Sequence, residues 1–335
     1  MQITKLNAAL LTALVILAGC SKNTGIGGAA GDASETTLKA NALFAQELKL
    51  DDQQDFENAK RGFIAKPSGK ITTADGTVLK DFDAYNFLDG KAADTVNPSL
   101  WRHAQLNANF GLFKVSEGVY QLRGFDIANM TLIEGKKGWI VVDPLTARET
   151  SSAALAFANQ HLGKKPVSAV IITHAHADHF GGVLGVVTPK EVAERNIPVV
   201  APEGFMEEAT SENILVGTAM ARRSLYQFGR DLPRNAKGNV DTGLGKDVAY
   251  GTLGLIAPTV LVTQPEQKMD IDGVGFVFHN APGAECPAEM TFSIPEKRLY
   301  DGAENLSQQM HNLLPVRGAK VRDALRWSNY MDHAL

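Results

Sequence analysis

Residues 173–182 read Thr173-His-Ala-His-Ala-Asp-His-Phe-Gly-Gly182. Four metal-ligating side chains, His174, His176, Asp178 and His179, fall within six positions and use three of the chain's eight histidines. Imidazole and carboxylate donors together suit zinc or a similar divalent ion. The i, i+2 pair His174 and His176 can close on one metal from a loop, and the adjacent Asp178 and His179 can turn toward a second. The cluster follows directly on an apolar strand and leads into Gly-Gly, a setting that a chance group of surface polar residues would not share.

Working outward, residues 166–173 (Pro-Val-Ser-Ala-Val-Ile-Ile-Thr) are apolar and β-branched and predict a buried strand. Residues 150–163 predict a helix with Ser/Thr at its start and Gly163 at its stop. Residues 138–143 (Gly-Trp-Ile-Val-Val-Asp) predict another buried strand. Strand, helix, strand and ligand-bearing loop make one βαβ step, and sites in such folds lie at the carboxyl ends of strands. Asp143 ends the first strand on the side of the histidine loop. It either orients a ligand histidine from outside the ligand set or caps the following turn.

Several further stretches carry a family pattern. They are Asn97-Pro-Ser-Leu-Trp-Arg-His-Ala-Gln-Leu-Asn107, Gly124-Phe-Asp-Ile-Ala-Asn-Met-Thr131, Ser211-Glu-Asn213 and Ala219-Met-Ala-Arg-Arg223. Ala281-Pro-Gly-Ala-Glu-Cys-Pro-Ala-Glu-Met290 and His311-Asn-Leu-Leu-Pro-Val-Arg-Gly-Ala-Lys-Val-Arg-Asp323 complete the set. With the H-x-H-x-D-H run they resemble the zinc-dependent alkyl sulfatases of the metallo-β-lactamase superfamily, from about residue 60 to the end of the chain. The resemblance implies an α/β fold, the αββα sandwich, over residues 59–335. It implies hydrolysis of alkyl sulfate esters of the dodecyl sulfate kind to alcohol and sulfate by a binuclear zinc hydroxide.

It further implies two zinc ions, one on His174 and His176 and the other on Asp178 and His179. Glu285 and Glu304 match the family's two glutamates, and carboxylates that bridge two dications offset their repulsion. By spacing alone Glu289 rivals Glu285, and Asp301 rivals Glu304. Asp178, Glu285 and Glu304 are thus the expected catalytic residues. Asn312 and Arg317 match the residues that grip the sulfate, and a guanidinium fork suits sulfate oxygens. Taken alone, Arg317 reads as a surface residue at a helix start.

The chain also departs from the family. A further zinc-ligating histidine of the family lies beyond Leu335, as does a further sulfate-binding arginine. The second metal is then bound weakly, or a water completes its shell. His103 and His311 sit in matched motifs but not at that ligand's place. His161 is expected at a helix end, His279 packed at a strand end, and His333 on an amphipathic helix, the one candidate replacement. Gln308 stands for a family histidine. Cys286 stands for an alanine, either as a reactive thiolate or as a small buried residue. The family's dimerisation and sterol-carrier-like domains are not matched. The expected partners are therefore the alkyl sulfate substrate and a missing C-terminal domain or a second copy. The rival readings are a fragment that needs that partner, or another hydrolase of the superfamily. Lactonases and β-lactamases usually carry histidine and aspartate where Glu285 and Glu304 stand.

The amino terminus gives an address. Lys5, an apolar stretch over residues 6–17 and Leu17-Ala-Gly-Cys20 read as a lipoprotein signal peptide over residues 1–20. Cys20 would be acylated, giving a periplasmic, outer-membrane lipid anchor; an ordinary signal peptide is the alternative. Residues 21–58 read as a flexible tether followed by an accessory helix from Leu38 to Asn58. The net charge of −4 offers no basic face for nucleic acid. With two cysteines, one of them in the signal sequence, no disulfide framework is expected.

Overall fold

The structure, a computed structural model, describes residues 31–307 and 311–335. The signal peptide, Cys20, the start of the tether and Gln308 lie outside the described residues. The strands are β1 (Phe63–Ala65), β2 (Lys70–Thr72), β3 (Val78–Asp81), β4 (Gly111–Ser116), β5 (Val119–Arg123), β6 (Met130–Glu134) and β7 (Trp139–Val142). They continue as β8 (Val167–Ile171), β9 (Val199–Pro202), β10 (Val260–Val262), β11 (Glu266–Ile271), β12 (Val274–Asn280), β13 (Met290–Ile294) and β14 (Leu299–Asp301). The α-helices are α1 (Glu35–Glu47), α2 (Gln54–Lys60), α3 (Pro98–Leu106), α4 (Arg148–Leu162) and α5 (Ala177–Phe180). They are followed by α6 (Pro189–Arg195), α7 (Phe205–Thr210), α8 (Gly217–Gln227) and α9 (Ala324–Ala334).

Eight strands form the first sheet, in the order β1-β4-β5-β6-β7-β8-β9-β10, and four form the second, β11-β12-β13-β14. The first sheet is antiparallel up to β7 and parallel from β7 to β10. That change of sense is the predicted βαβ step, with α4 as its crossover. Strand β7 shows why two layers form. Side chains alternate across a strand, so Trp139 and Val141 face the core shared with α4, whereas Ile140 and Val142 face the second sheet. The second sheet answers with Phe276, Phe278, Met290 and Phe292, all at most 1 % exposed. Each such burial contributes about 1.5–3 kcal/mol. On the outer side of the second sheet His333 of α9 packs on His279 of β12, with ring centroids 5.2 Å apart. The layers are helix, sheet, sheet, helix: the metallo-β-lactamase sandwich.

Two local expectations change. The Ser/Thr start expected for α4 does not cap it: the cap is Ala147, and the Thr150 hydroxyl donates instead to the buried carboxylate of Asp126 at 2.8 Å. The single accessory helix becomes two. The chain leaves helical geometry at Leu48, and Asp52 accepts from the Gln54 amide at 2.9 Å. An Asp-Asp pair favours such capping over a helix interior.

Candidate metal centre

The histidine loop leaves β8 at its carboxyl end, beside the end of β7, and is held there by close backbone contact. A Cβ on Gly182 would stand 2.2 Å from the Pro144 carbonyl oxygen, and one on Gly181 would stand 2.3 Å from that of Thr146. Only glycine lets the loop lie against residues 144–147. Asp143, at a φ of 52°, then completes the joint. Its carboxylate accepts from the Thr173 amide at 2.8 Å, the Thr173 hydroxyl at 2.7 Å and His179 Nδ1 at 2.8 Å. Of the two roles open for Asp143, the structure gives it the orienting one. With Nδ1 engaged, His179 Nε2 is the nitrogen turned into the site.

The opposite wall comes from three separated segments. Glu285 lies in the turn between β12 and β13, Glu304 follows β14, and residues 311–322 close the side. Glu289 accepts from the amides of Glu285 and Cys286 at 2.7 and 2.9 Å, so it shapes that turn from behind. The ligand atoms of His174, His176, Glu285 and Glu304 lie within 4.8 Å of one another, as do those of Asp178, His179 and Glu304. Glu304 is common to both groups; the rivals Glu289 and Asp301 belong to neither. His174 Nε2 is 3.3 Å from Glu285 and 3.6 Å from Glu304, and His179 Nε2 is 3.7 Å from Glu304.

The donor set fits a metal. His174 Nε2 and His179 Nε2 are buried without a hydrogen-bond partner among the described residues. Buried polar atoms of this kind are costly unless something satisfies them. Burial, helped by the neighbouring imidazoles, pushes His174 well below the ordinary histidine value, and burial with Arg317 does the same to His176. Both rings are therefore neutral and able to ligate. For His179, burial is outweighed by Asp178 and Asp143, which raise it well above that value. Burial and the nearby Glu304 push Glu285 well up, and burial brings Glu289 up to about 8. Both carboxyls are thus disfavoured as anions unless a cation stands beside them.

Asn312 and Arg317 line the same cavity, of about 1320 Å³, as the two ligand groups. Arg317 is not at a helix start. It sits in a turn, where its guanidinium pairs with Glu212 at 2.9 Å and its amide donates to Gln227 at 2.7 Å. Leu106, Phe110, Met220, Leu244 and Leu253 line the same cavity.

Three contributors escaped the sequence reading. Arg322 is buried and donates to the Glu285 carboxylate, to its carbonyl oxygen at 2.7 Å and to Asn312 Oδ1 at 2.8 Å. His311, read as outside the ligand's place, brings Nε2 to 3.5 Å from Glu285 and 3.7 Å from Glu304, with Nδ1 3.1 Å from Arg322. Glu212 is 3.5 Å from His176 Nε2. The only local signal for any of them was membership of a matched motif. His333 does not take up a ligand position: it joins neither group and packs on His279. His103 contacts Asn107 at 3.0 Å, and His161 packs on Phe157. Cys286 is 1 % exposed, and burial raises its thiol well above the ordinary value, so it is a small packed residue rather than a thiolate.

The model of the metallo-beta-lactamase superfamily matches residues 123–275. The chain is 47% identical over 307 residues to the alkyl/aryl-sulfatase BDS1 of Saccharomyces cerevisiae, covering 91% of this chain and 48% of that protein. It is 44% identical over 329 residues to a linear primary-alkylsulfatase of a Pseudomonas species, covering 97% of this chain and 48% of the relative. The solved structure of the stereoselective inverting sec-alkylsulfatase Pisa1 from Pseudomonas superposes with a TM-score of 0.88 at 48% identity, covering 91% of this chain and 49% of that one. The chain spans about half the length of these relatives.

Proposed function

We propose, from the match to the metallo-β-lactamase superfamily model and from the alkyl sulfatase relatives, that the chain hydrolyses alkyl sulfate esters, R–O–SO3⁻ plus water giving alcohol, sulfate and a proton. The observation that carries this is the joining, in one cavity, of two ligand groups sharing Glu304 with Arg317 and Asn312 beside them.

In this reading His174, His176 and Glu285 would hold one zinc and Asp178 and His179 the other, with Glu304 common to both groups. Two zinc ions so held supply an activated water as nucleophile near neutral pH. The chain's own residues do the remaining work. Arg317 and Asn312 grip the sulfate and offset its charge, and Asp143 fixes the His179 ring. Apolar residues lining the cavity, Phe110, Met220 and Leu244 among them, accept the alkyl chain. The periplasmic lipid anchor on Cys20 belongs to the same reading and rests on the amino-terminal sequence.

The test is sulfate release from dodecyl sulfate by the zinc-loaded chain, with His176→Ala beside it. Release is expected to fall by about 10³-fold in the variant, the equivalent of about 4 kcal/mol of metal-derived stabilisation. Equal release by the two proteins overturns the reading. A second reading is a catalytic half completed by a separate polypeptide. It predicts no release from the chain alone and recovery when the other half of a relative is added.

A further inference from the structure

Glu212 stands where two parts of the proposed site meet. It lies in a π-helical turn, Ser211–Leu215, inserted between α7 and α8. Such turns are uncommon and frequent at functional sites. One carboxylate oxygen is 2.9 Å from the Arg317 guanidinium, and the other is 3.5 Å from His176 Nε2. The opposite ring nitrogen of His176, Nδ1, is 2.6 Å from Glu285 Oε2, inside the ligand group. His176 therefore turns one nitrogen to the metal position and the other to Glu212. Both Glu212 and Arg317 are about five-sixths buried at the side chain, 17 % and 16 % exposed, so the pair is shielded from solvent.

We propose that Glu212 is a positioning residue that fixes the His176 ring with one oxygen and restrains Arg317 with the other, linking metal affinity to sulfate affinity. The proposal rests on the sulfatase reading for its sulfate half only. A ligand histidine whose second nitrogen is engaged is held in one tautomer and one orientation, and loss of such a partner typically lowers metal affinity. An internal carboxylate on Arg317 also competes with any incoming anion. Removing Glu212 thus moves the two affinities in opposite directions, whereas mere loosening of the pocket lowers both.

The experiment uses the full chain as parent, Glu212→Ala and Glu212→Gln. Zinc affinity is measured by competition with a chelator, and inorganic sulfate is titrated calorimetrically into zinc-saturated protein. Glu212→Ala is expected to bind zinc about 10- to 100-fold more weakly and sulfate more tightly. Glu212→Gln keeps one acceptor oxygen, so it should move in the same directions with a smaller zinc loss, and it decides the matter if the alanine variant does not fold. Parental zinc affinity in a folded variant, or zinc and sulfate affinity falling together, overturns the proposal. A parent that binds zinc but no sulfate counts against the sulfatase reading, while the zinc comparison still decides the link between His176 and Glu212.

Discussion

The wall built from β7, β8 and the histidine loop is hydrogen-bonded around one carboxylate, and the wall built from residues 281–322 holds buried carboxyl groups disfavoured as anions. On the first wall Asp143 receives three hydrogen bonds from Thr173 and His179. On the second, Glu289 keeps a buried carboxylate oxygen without a hydrogen-bond partner, and burial pushes Glu285 and Glu289 upward. Asp301 is pushed up to about 6 by burial and the nearby Asp143. Folding alone fixes Asp143, Thr173 and the His179 ring on the first wall, leaving His174 Nε2 and His179 Nε2 without partners. The second is assembled with buried carboxyl groups that only a nearby cation would favour as anions.

That contrast makes the effect of metal the strongest test. Zinc at about 1,000 times its dissociation constant should stabilise the chain by about 4 kcal/mol, measured by denaturant unfolding. Hydrogen exchange should slow far more over residues 281–304 than over residues 173–182. Equal protection of both stretches would remove the distinction. Next, Gly182→Ala should cost roughly 3 kcal/mol, because its Cβ meets backbone 2.2 Å away. The loss should be the same with and without zinc, since this wall is built by packing; a loss confined to the zinc-loaded protein would break the comparison from the other side.

The third effect is the pH dependence of Asp301 in the zinc-free chain. Its folded value of about 6 stands above the ordinary 3.8, so the folded state keeps the proton longer. Stability from this group falls as pH rises from 3.8 to about 6, and the cost is full above that range. Asp301→Asn, which can still accept from the Ala303 amide, should therefore be more stable than the parent by about 3 kcal/mol at pH 7. The advantage should close by pH 4. A gap that does not change with pH would mean that Asp301 carries no charge penalty.

The same asymmetry decided what could be read from sequence. The first wall is local: strand, loop and four ligands run in one contiguous stretch, and Asp143 ends the neighbouring strand. Its geometry follows from periodicity and glycine placement. The second wall joins Glu285 to Arg322 across 37 positions, and Arg317 reaches back to Glu212, far upstream in the chain. No spacing rule couples residues so far apart, so Glu285 and Glu304 were found only through a family pattern. Arg322 stood in a matched motif with nothing local to mark it as a partner of Glu285. The break between α1 and α2 was readable in principle, because Asp51-Asp52 is a capping signal, but apolar periodicity hid it.

Helix α9 ties the ends of the second wall together. Trp327 donates to the Asn305 carbonyl at 2.9 Å, Tyr330 to that of Pro282 at 3.1 Å, and the Asp323 amide to that of Gly283 at 3.0 Å. In mechanical terms the helix is a splint across two loops, one bearing Glu285 and the other Glu304. A load applied to its far end is delivered to both carboxylates at once, so whatever grips the surface of α9 gains leverage on their separation without entering the cavity.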